Sequence, residues 1–173
     1  MIKHSEKWDL RFLAMAWHAS SWSKDPSTKV GAVIAGPRNE IISHGYNGFP
    51  RGVLDTADRL DNRDIKYKLT VHAEINALNF SGRTDHAGCS IYTWPLAPCS
   101  RCTTDLIQRG ISRVVTIVDD LNNPRWAEDV ALGKEMQTEV GIDVQYYQAS
   151  IVFESMIREF SGLSRLPIGF PLK

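Results

Sequence analysis

Residues 71–118 read VHAEINALNF SGRTDHAGCS IYTWPLAPCS RCTTDLIQRG ISRVVTIV, and the alternation within this stretch decides the fold. A helix opens at about Val71, with Ala73, Ala77 and Leu78 among its apolar residues, and Gly82 stops it. Cys89 to Thr93 reads as a short strand. Pro98 occupies the tolerated first turn of a second helix, which runs to about Arg109 and closes at Gly110. Arg113 to Val118 is a β-branched run, the mark of a buried strand. Helix, strand, helix, strand is an α/β pattern, and strands joined by a crossing helix are parallel.

Working outward, residues 5–22 read as a helix with Leu10, Leu13, Ala14, Ala16 and Trp17 on or near one face. Lys24-Asp-Pro-Ser-Thr28 breaks it. Val30–Ile34 and Glu40–His44 read as two strands, with hairpin-turn chemistry in Gly36-Pro-Arg-Asn39. Gly45–Gly52 is a Gly- and Pro-rich loop, and residues 53–69 are polar and poorly patterned. Beyond the central stretch, Pro124 opens a helix to about Val140, Ile142–Tyr146 is a last strand, and residues 149–161 form a final helix. Phe153, Met156, Ile157 and Phe160 make a core-facing or oligomer-facing stripe on that helix, with the core favoured. Pro167 and Pro171 keep the tail, 163–173, irregular. The chain of 173 residues thus reads as one domain over 1–173, with its core at about 5–162.

A domain of this size buries roughly 70% of its unfolded surface and needs neither metal nor disulfide to fold. Lys plus Arg and Asp plus Glu number 20 each, so the net charge is zero. That argues against a protein that grips long nucleic acid. No apolar stretch approaches 18 residues, and the N-terminus lacks the apolar core of a signal peptide, so no membrane span and a cytoplasmic location are expected. His4, His18 and His44 read as surface or packing residues, and Asp58–Asp64 as a solvated charged face.

The chemistry concentrates in His72-Ala-Glu74 and Pro98-Cys99-Ser-Arg-Cys102, each at a predicted helix start. Alone, Cys-x-x-Cys reads as a redox pair or half of a structural zinc site, and His-Ala-Glu as helix surface. Together they offer one imidazole and two thiolates, the three-ligand set of a catalytic zinc whose fourth position stays open. Helix N-termini favour thiolates. Glu74 is placed to serve as general acid/base without ligating the metal. His-x-Glu followed by Pro-Cys-x-x-Cys is the signature of zinc deaminases. A closed structural site would need a fourth ligand, from His86 or Cys89, and would have no use for Glu74.

On these motifs, with Lys24–Ala32, Gly45-Tyr-Asn-Gly-Phe-Pro-Arg-Gly52 and Gln108–Ile111, the chain resembles the deoxycytidylate (dCMP) deaminase family over residues 8–145. The resemblance implies a three-layer α/β/α fold with a mixed five-stranded sheet flanked by helices. It implies one Zn2+ per chain held by His72, Cys99 and Cys102, with Glu74 as proton shuttle. It implies hydrolytic deamination of a small nucleotide, dCMP to dUMP, in a homo-oligomer, often a hexamer, with nucleotide effectors dCTP and dTTP acting with Mg2+. Asn47 matches the residue that contacts the sugar hydroxyl, and the Ala73 N–H the group that holds the 2-oxo position. Trp94 either walls the base pocket or packs in the core. Residues 51–71 hold neither Cys nor His, so the additional structural zinc of some relatives is absent. The acidic stretch after the Asn-Gly loop is reduced to Asp55 and Asp58, which weakens the case for effector regulation. Candidate phosphate cations are Lys29, Arg51, Arg101 and Arg125, of which Arg51 and Arg125, on Pro-stiffened loops, rank first. The open alternatives are another cytosine nucleoside, nucleotide or modified cytidylate as substrate, and a non-catalytic zinc module.

Overall fold

A computed structural model describes residues 4–118 and 124–161, the side chains of Pro124 and Arg125 excepted. The elements run α1 (Glu6–Ser20), β1 (Gly31–Ala35), β2 (Ile41–Tyr46), α2 (Ala57–Asp61), α3 (Arg63–Leu69), α4 (Ala73–Phe80), β3 (Ser90–Trp94), α5 (Ser100–Gln108), β4 (Arg113–Ile117), α6 (Pro124–Glu139), β5 (Asp143–Tyr147) and α7 (Ala149–Ser161). The five strands form one sheet in the order β2-β1-β3-β4-β5. β1 pairs antiparallel with both β2 and β3, while β3, β4 and β5 are parallel. The sheet is therefore mixed, as expected, and the parallel part is the part joined by helices.

Period-two alternation sorts the strand residues onto two faces. Val33, Ala35, Tyr92, Trp94, Val115 and Ile117 pack with Leu10, Phe12, Leu13 and Ala16 of α1 and Val152 of α7. Ala32, Ile34, Ile91 and Val114 pack on the other face with Ala73, Ala77 and Leu78 of α4 and Leu106 of α5. These are the two interfaces of a three-layer α/β/α structure. The hairpin turn closes through Gly36 N–H to the Glu40 carbonyl at 2.8 Å, with Asn39 in the left-handed region at φ 65°.

Two glycines let helices approach the sheet backbone directly. A Cβ on Gly31 would meet the Ala16 carbonyl of α1, and one on Gly45 would meet the Ala73 carbonyl and Ala77 nitrogen of α4.

Under α1 lies a buried ionic cluster. Arg113 donates from Nη1 and Nη2 to the two carboxylate oxygens of Asp9, at 2.6 and 2.8 Å, and from Nε to Asp143 at 3.0 Å. The Tyr92 and Tyr147 hydroxyls each donate to Asp9 at 2.9 Å. Burial first, and the Asp9 carboxylate next, push both phenols well above their usual range.

Two expectations change. Residues 57–69 are helical in two short pieces, although nothing in their pattern marks an apolar stripe: α2 buries no residue and α3 buries only Lys66. The α7 stripe divides between core and surface: Phe153 meets Trp94 and Met156 packs against the first core. Val152 is buried in that core, whereas Ile157 and Phe160 are 69% and 63% exposed. Residues 119–123 and the tail 163–173 lie outside the described residues, and no described helix is long and apolar enough to cross a membrane.

Removing Asp9 leaves the Arg113 guanidinium buried with only a partly exposed partner. Asp9→Ala should lower the unfolding free energy by about 3–5 kcal/mol, measured by urea denaturation. A loss below about 1 kcal/mol would show that the cluster contributes little.

Candidate active site

The chain brings two helix N-termini together beyond the C-terminal end of β3, where sites form in α/β sheets. His72 is the N-cap of α4 and Cys99 the N-cap of α5, both in extended backbone (ψ 156° and 171°). Cys102 follows in the first turn of α5, and its N–H points to the Cys99 sulfur at 3.5 Å. His72 Nδ1 lies 3.5 Å from Cys99 Sγ and 3.3 Å from Cys102 Sγ. The three ligand atoms all fall within 4.8 Å of one another.

The donor set fits zinc. Tetrahedral bonds of about 2.3 Å to sulfur and 2.0–2.1 Å to nitrogen hold neighbouring ligand atoms roughly 3.6–3.8 Å apart, close to the spacing seen here. Among the described residues this is the only such cluster, and it has three members. His86, bonded to Ser81 at 2.9 Å, and Cys89, in the second core, are not part of it. Three donors with a free fourth position suit a catalytic metal better than a closed structural one.

The protonation pattern shows three groups competing for protons. Hydrogen bonding from Cys102, joined by His72, draws the Cys99 thiol down to about 4. The bond to Cys99 raises His72 to about 8, and the same thiolate drives Cys102 upward. A bound cation relieves that competition, because ligands must shed their protons to bind it. Glu74 stands two residues from His72 in the first turn of α4, only 3% exposed. Burial pushes its carboxyl above the usual carboxylate range, the condition of a general acid/base near neutral pH.

A cleft opens over this cluster. It is lined by His72, Ala73, Glu74 and Cys99, by Leu96 and Ala97 of the loop after β3, and by Trp126 and Val130 of α6. Its remaining wall is Asp25, Ser27, Thr28, Val30, Asn47, Lys66, Tyr67 and Thr70. α6 reaches the cleft because Gly133 seats it against the Pro98 carbonyl and Thr103 of α5, where Gln137 donates to Thr103 Oγ1 at 3.1 Å and Ser100 to Asp129. Tyr67 and Trp126 meet edge to face, with ring centroids 5.9 Å apart.

Of the expected substrate contacts, Asn47 and Ala73 line the cleft. Ala73 opens α4, so its N–H has no partner within the helix. Trp94 does not line the cleft. It shares a sheet face with Tyr92 and packs in the first core against Phe153. Arg51 lies over the Phe80 ring, 5.0 Å from its centroid, and away from the cleft wall. Lys29 and Arg101 are exposed and do not line it either. The Arg125 side chain lies outside the described residues. Sequence reasoning missed Lys66, Tyr67 and Trp126. Nothing local marks Lys66, whose ionic partner Asp25 is 41 positions away.

The chain matches the sequence model of the cytidine and deoxycytidylate deaminase zinc-binding region over residues 6–118. It is 44% identical over 148 residues to an uncharacterized deaminase from the luxG 3' region of Aliivibrio fischeri, a match that covers 84% of this chain and 97% of that one. It is 40% identical over 118 residues to deoxycytidylate deaminase of Homo sapiens, covering 65% of this chain and 66% of that protein, just under two thirds of its length. Among solved structures, the apo dCMP deaminase of the cyanophage S-TIM5 superposes with a TM-score of 0.64 at 21% identity, over 83% of this chain and all of that one. At that identity the likeness speaks for the fold.

Metal analysis tests the ligand set. The wild type should carry one zinc per chain, Cys99→Ala should lose it, and Glu74→Gln should keep it. Zinc retained by Cys99→Ala, or a second zinc per chain, would show the ligand set to be wrong.

Proposed function

The chain belongs to the cytidine and deoxycytidylate deaminase family, and from that membership we propose that it deaminates dCMP to dUMP and ammonia by zinc-dependent hydrolysis. The observation that carries the reading is the joint placement, in one cleft, of His72, Cys99 and a buried Glu74. His72, Cys99 and Cys102 would hold the zinc, which would supply Lewis acidity and acidify a water towards neutral pH. Glu74 takes the proton that water gives up and delivers it to the ring nitrogen beside the reacting carbon. Water adds to the carbon bearing the amino group. Glu74 then moves a second proton to that amino group, which leaves as ammonia while a carbonyl remains. The free Ala73 N–H donates to the 2-oxo group and holds the base in register, and Leu96, Ala97, Val130 and Trp126 exclude bulk water around it.

The same proposal gives the phosphate to Arg125, one of the two cations ranked first in the sequence, whose backbone opens α6; Lys29, Arg51 and Arg101 are not among the lining residues described. One observation favours a second reading, deamination of the free nucleoside: the cleft's described cation, Lys66, is already paired with Asp25. The exposed Ile157 and Phe160 support assembly through α7 into a homo-oligomer, a hexamer by family resemblance. A cytoplasmic location is part of the same proposal. The acidic stretch reduced to Asp55 and Asp58 argues against effector control by dCTP or dTTP.

A panel of cytosine, deoxycytidine, dCMP, dCTP and single-stranded DNA, followed by ammonia release, tests the substrate. A charge-assisted contact is worth about 1.5–3 kcal/mol, so dCMP should exceed deoxycytidine by roughly 10–150-fold in kcat/KM. Equal efficiency would leave the nucleoside reading in place. Glu74→Gln should keep its zinc and lose about 10²–10⁴-fold in kcat. Near-normal turnover by that variant would overturn the mechanism.

A further inference from the structure

Lys66 is the buried cation among the described residues of this cleft, 4% exposed on a helix that hides nothing else. A lysine survives such burial only when its charge is matched. Its Nζ donates to Asp25 Oδ1 at 2.9 Å and to Ser27 Oγ at 2.8 Å. The same Asp25 oxygen accepts from the Ser27 and Thr28 amides, at 2.7 and 3.2 Å. One carboxylate oxygen thus shapes the 25–28 turn and anchors it to α3. The turn in its place presents the Thr28 carbonyl to Asn47 Nδ2 at 2.9 Å, while Asn47 Oδ1 accepts from the Val30 N–H at 2.8 Å. Donor and acceptor ends of the Asn47 amide are both used, so only one orientation of this cleft residue satisfies its neighbours.

We propose that Lys66 is a positioning residue: it holds the Asp25 turn, and through it the Asn47 amide, against the cleft, and does not offer its charge to the substrate. Asp25 cancels that charge. An anionic ligand drawing Lys66 away would leave a carboxylate with 11% side-chain exposure without its partner. The inference rests on reading the cleft as a cytosine nucleoside or nucleotide site. It assigns Lys66 to whatever part of the substrate Asn47 faces, independent of the phosphate.

The test is the double variant Lys66→Met/Asp25→Asn, which buries no unpaired ion. Zinc content confirms that the fold is kept. A misplacement on the ångström scale costs on the order of 10²-fold, so kcat/KM should fall by about 10–100-fold, by the same factor on dCMP and on deoxycytidine. In an Asn47→Ala background the same pair should cost less than about 3-fold, because coupled residues are not additive. Loss confined to dCMP would make Lys66 a phosphate ligand and overturn the proposal. So would no loss on either substrate, or an undiminished loss in the Asn47→Ala background. If the double variant fails to fold, Asp25→Asn alone decides: an equal fall on both substrates supports the proposal, and a raised preference for dCMP overturns it. Amide hydrogen exchange separates this inference from the deaminase reading. The Thr28 and Val30 amides should exchange faster in the variant whether or not the wild type deaminates any cytosine compound, and unchanged protection would overturn the tether.

Discussion

The bidentate pair between Asp9 and Arg113 is the interaction on which the remainder of this architecture leans. Both side chains are almost fully buried, and a buried ion pair is tolerable only when its lone pairs and protons are otherwise satisfied. Here two tyrosine hydroxyls and Asp143 complete the set, and those partners come from β3 and β5 while Arg113 comes from β4. One helical carboxylate thereby reads the position of three strands. With α1 so placed, its backbone rests on Gly31, and its C-terminal extension delivers Ser23, whose hydroxyl donates to the Asn47 carbonyl at 2.8 Å. An interaction in one layer of the molecule thus settles where the first wall of the cleft begins, in the opposite quarter of the sheet.

The metal-ligand side of the cleft is organised by a different device. His72 and Cys99 both occupy N-caps, so each ligand sits at the point where backbone N–H groups are unspent and the helix dipole favours negative charge. The Cys99 thiol is lowered first by the bond from Cys102 and then by His72, with the Cys102 backbone N–H of the helix start adding to them. The N-cap placement also separates two demands that conflict elsewhere. The thiolates need an electropositive setting, whereas Glu74 needs a dry one that keeps its proton affinity high. The helix start contributes to the first, and the burial of Glu74 in the cleft wall supplies the second.

The parts of this design that were legible in the sequence are those written in local spacing. His72, Glu74, Cys99 and Cys102 are read within windows of a few residues, and the β-branched run at β4 announces a buried strand by itself. Arg113 stands at the head of that run, and its burial is invisible there because Asp9 lies 104 positions earlier. Lys66 fails for the same reason, inside a segment whose two short helices carry no apolar stripe. Trp94 is a different case, open between pocket wall and core until the strand phase is followed. Its position after Tyr92 in alternation places it on the α1 face, so strand phase held the answer that proximity to Pro98 obscured. Ile157 and Phe160 show the limit of periodicity: they share a stripe with Phe153 and Met156, which pack on the first core, yet stand exposed themselves.

Gly45 has a wider meaning for how this protein can change. At Gly45, where no side chain separates α4 from β2, the helix bearing His72 and Glu74 takes its reference from peptide backbone, whose dimensions are the same whatever residues surround it. A one-methyl exchange in the second core, such as Ile34→Val, leaves this backbone contact in place. The site is insulated from the ordinary mutational noise of its own interior, and the cost is concentrated in a single position that tolerates no larger residue.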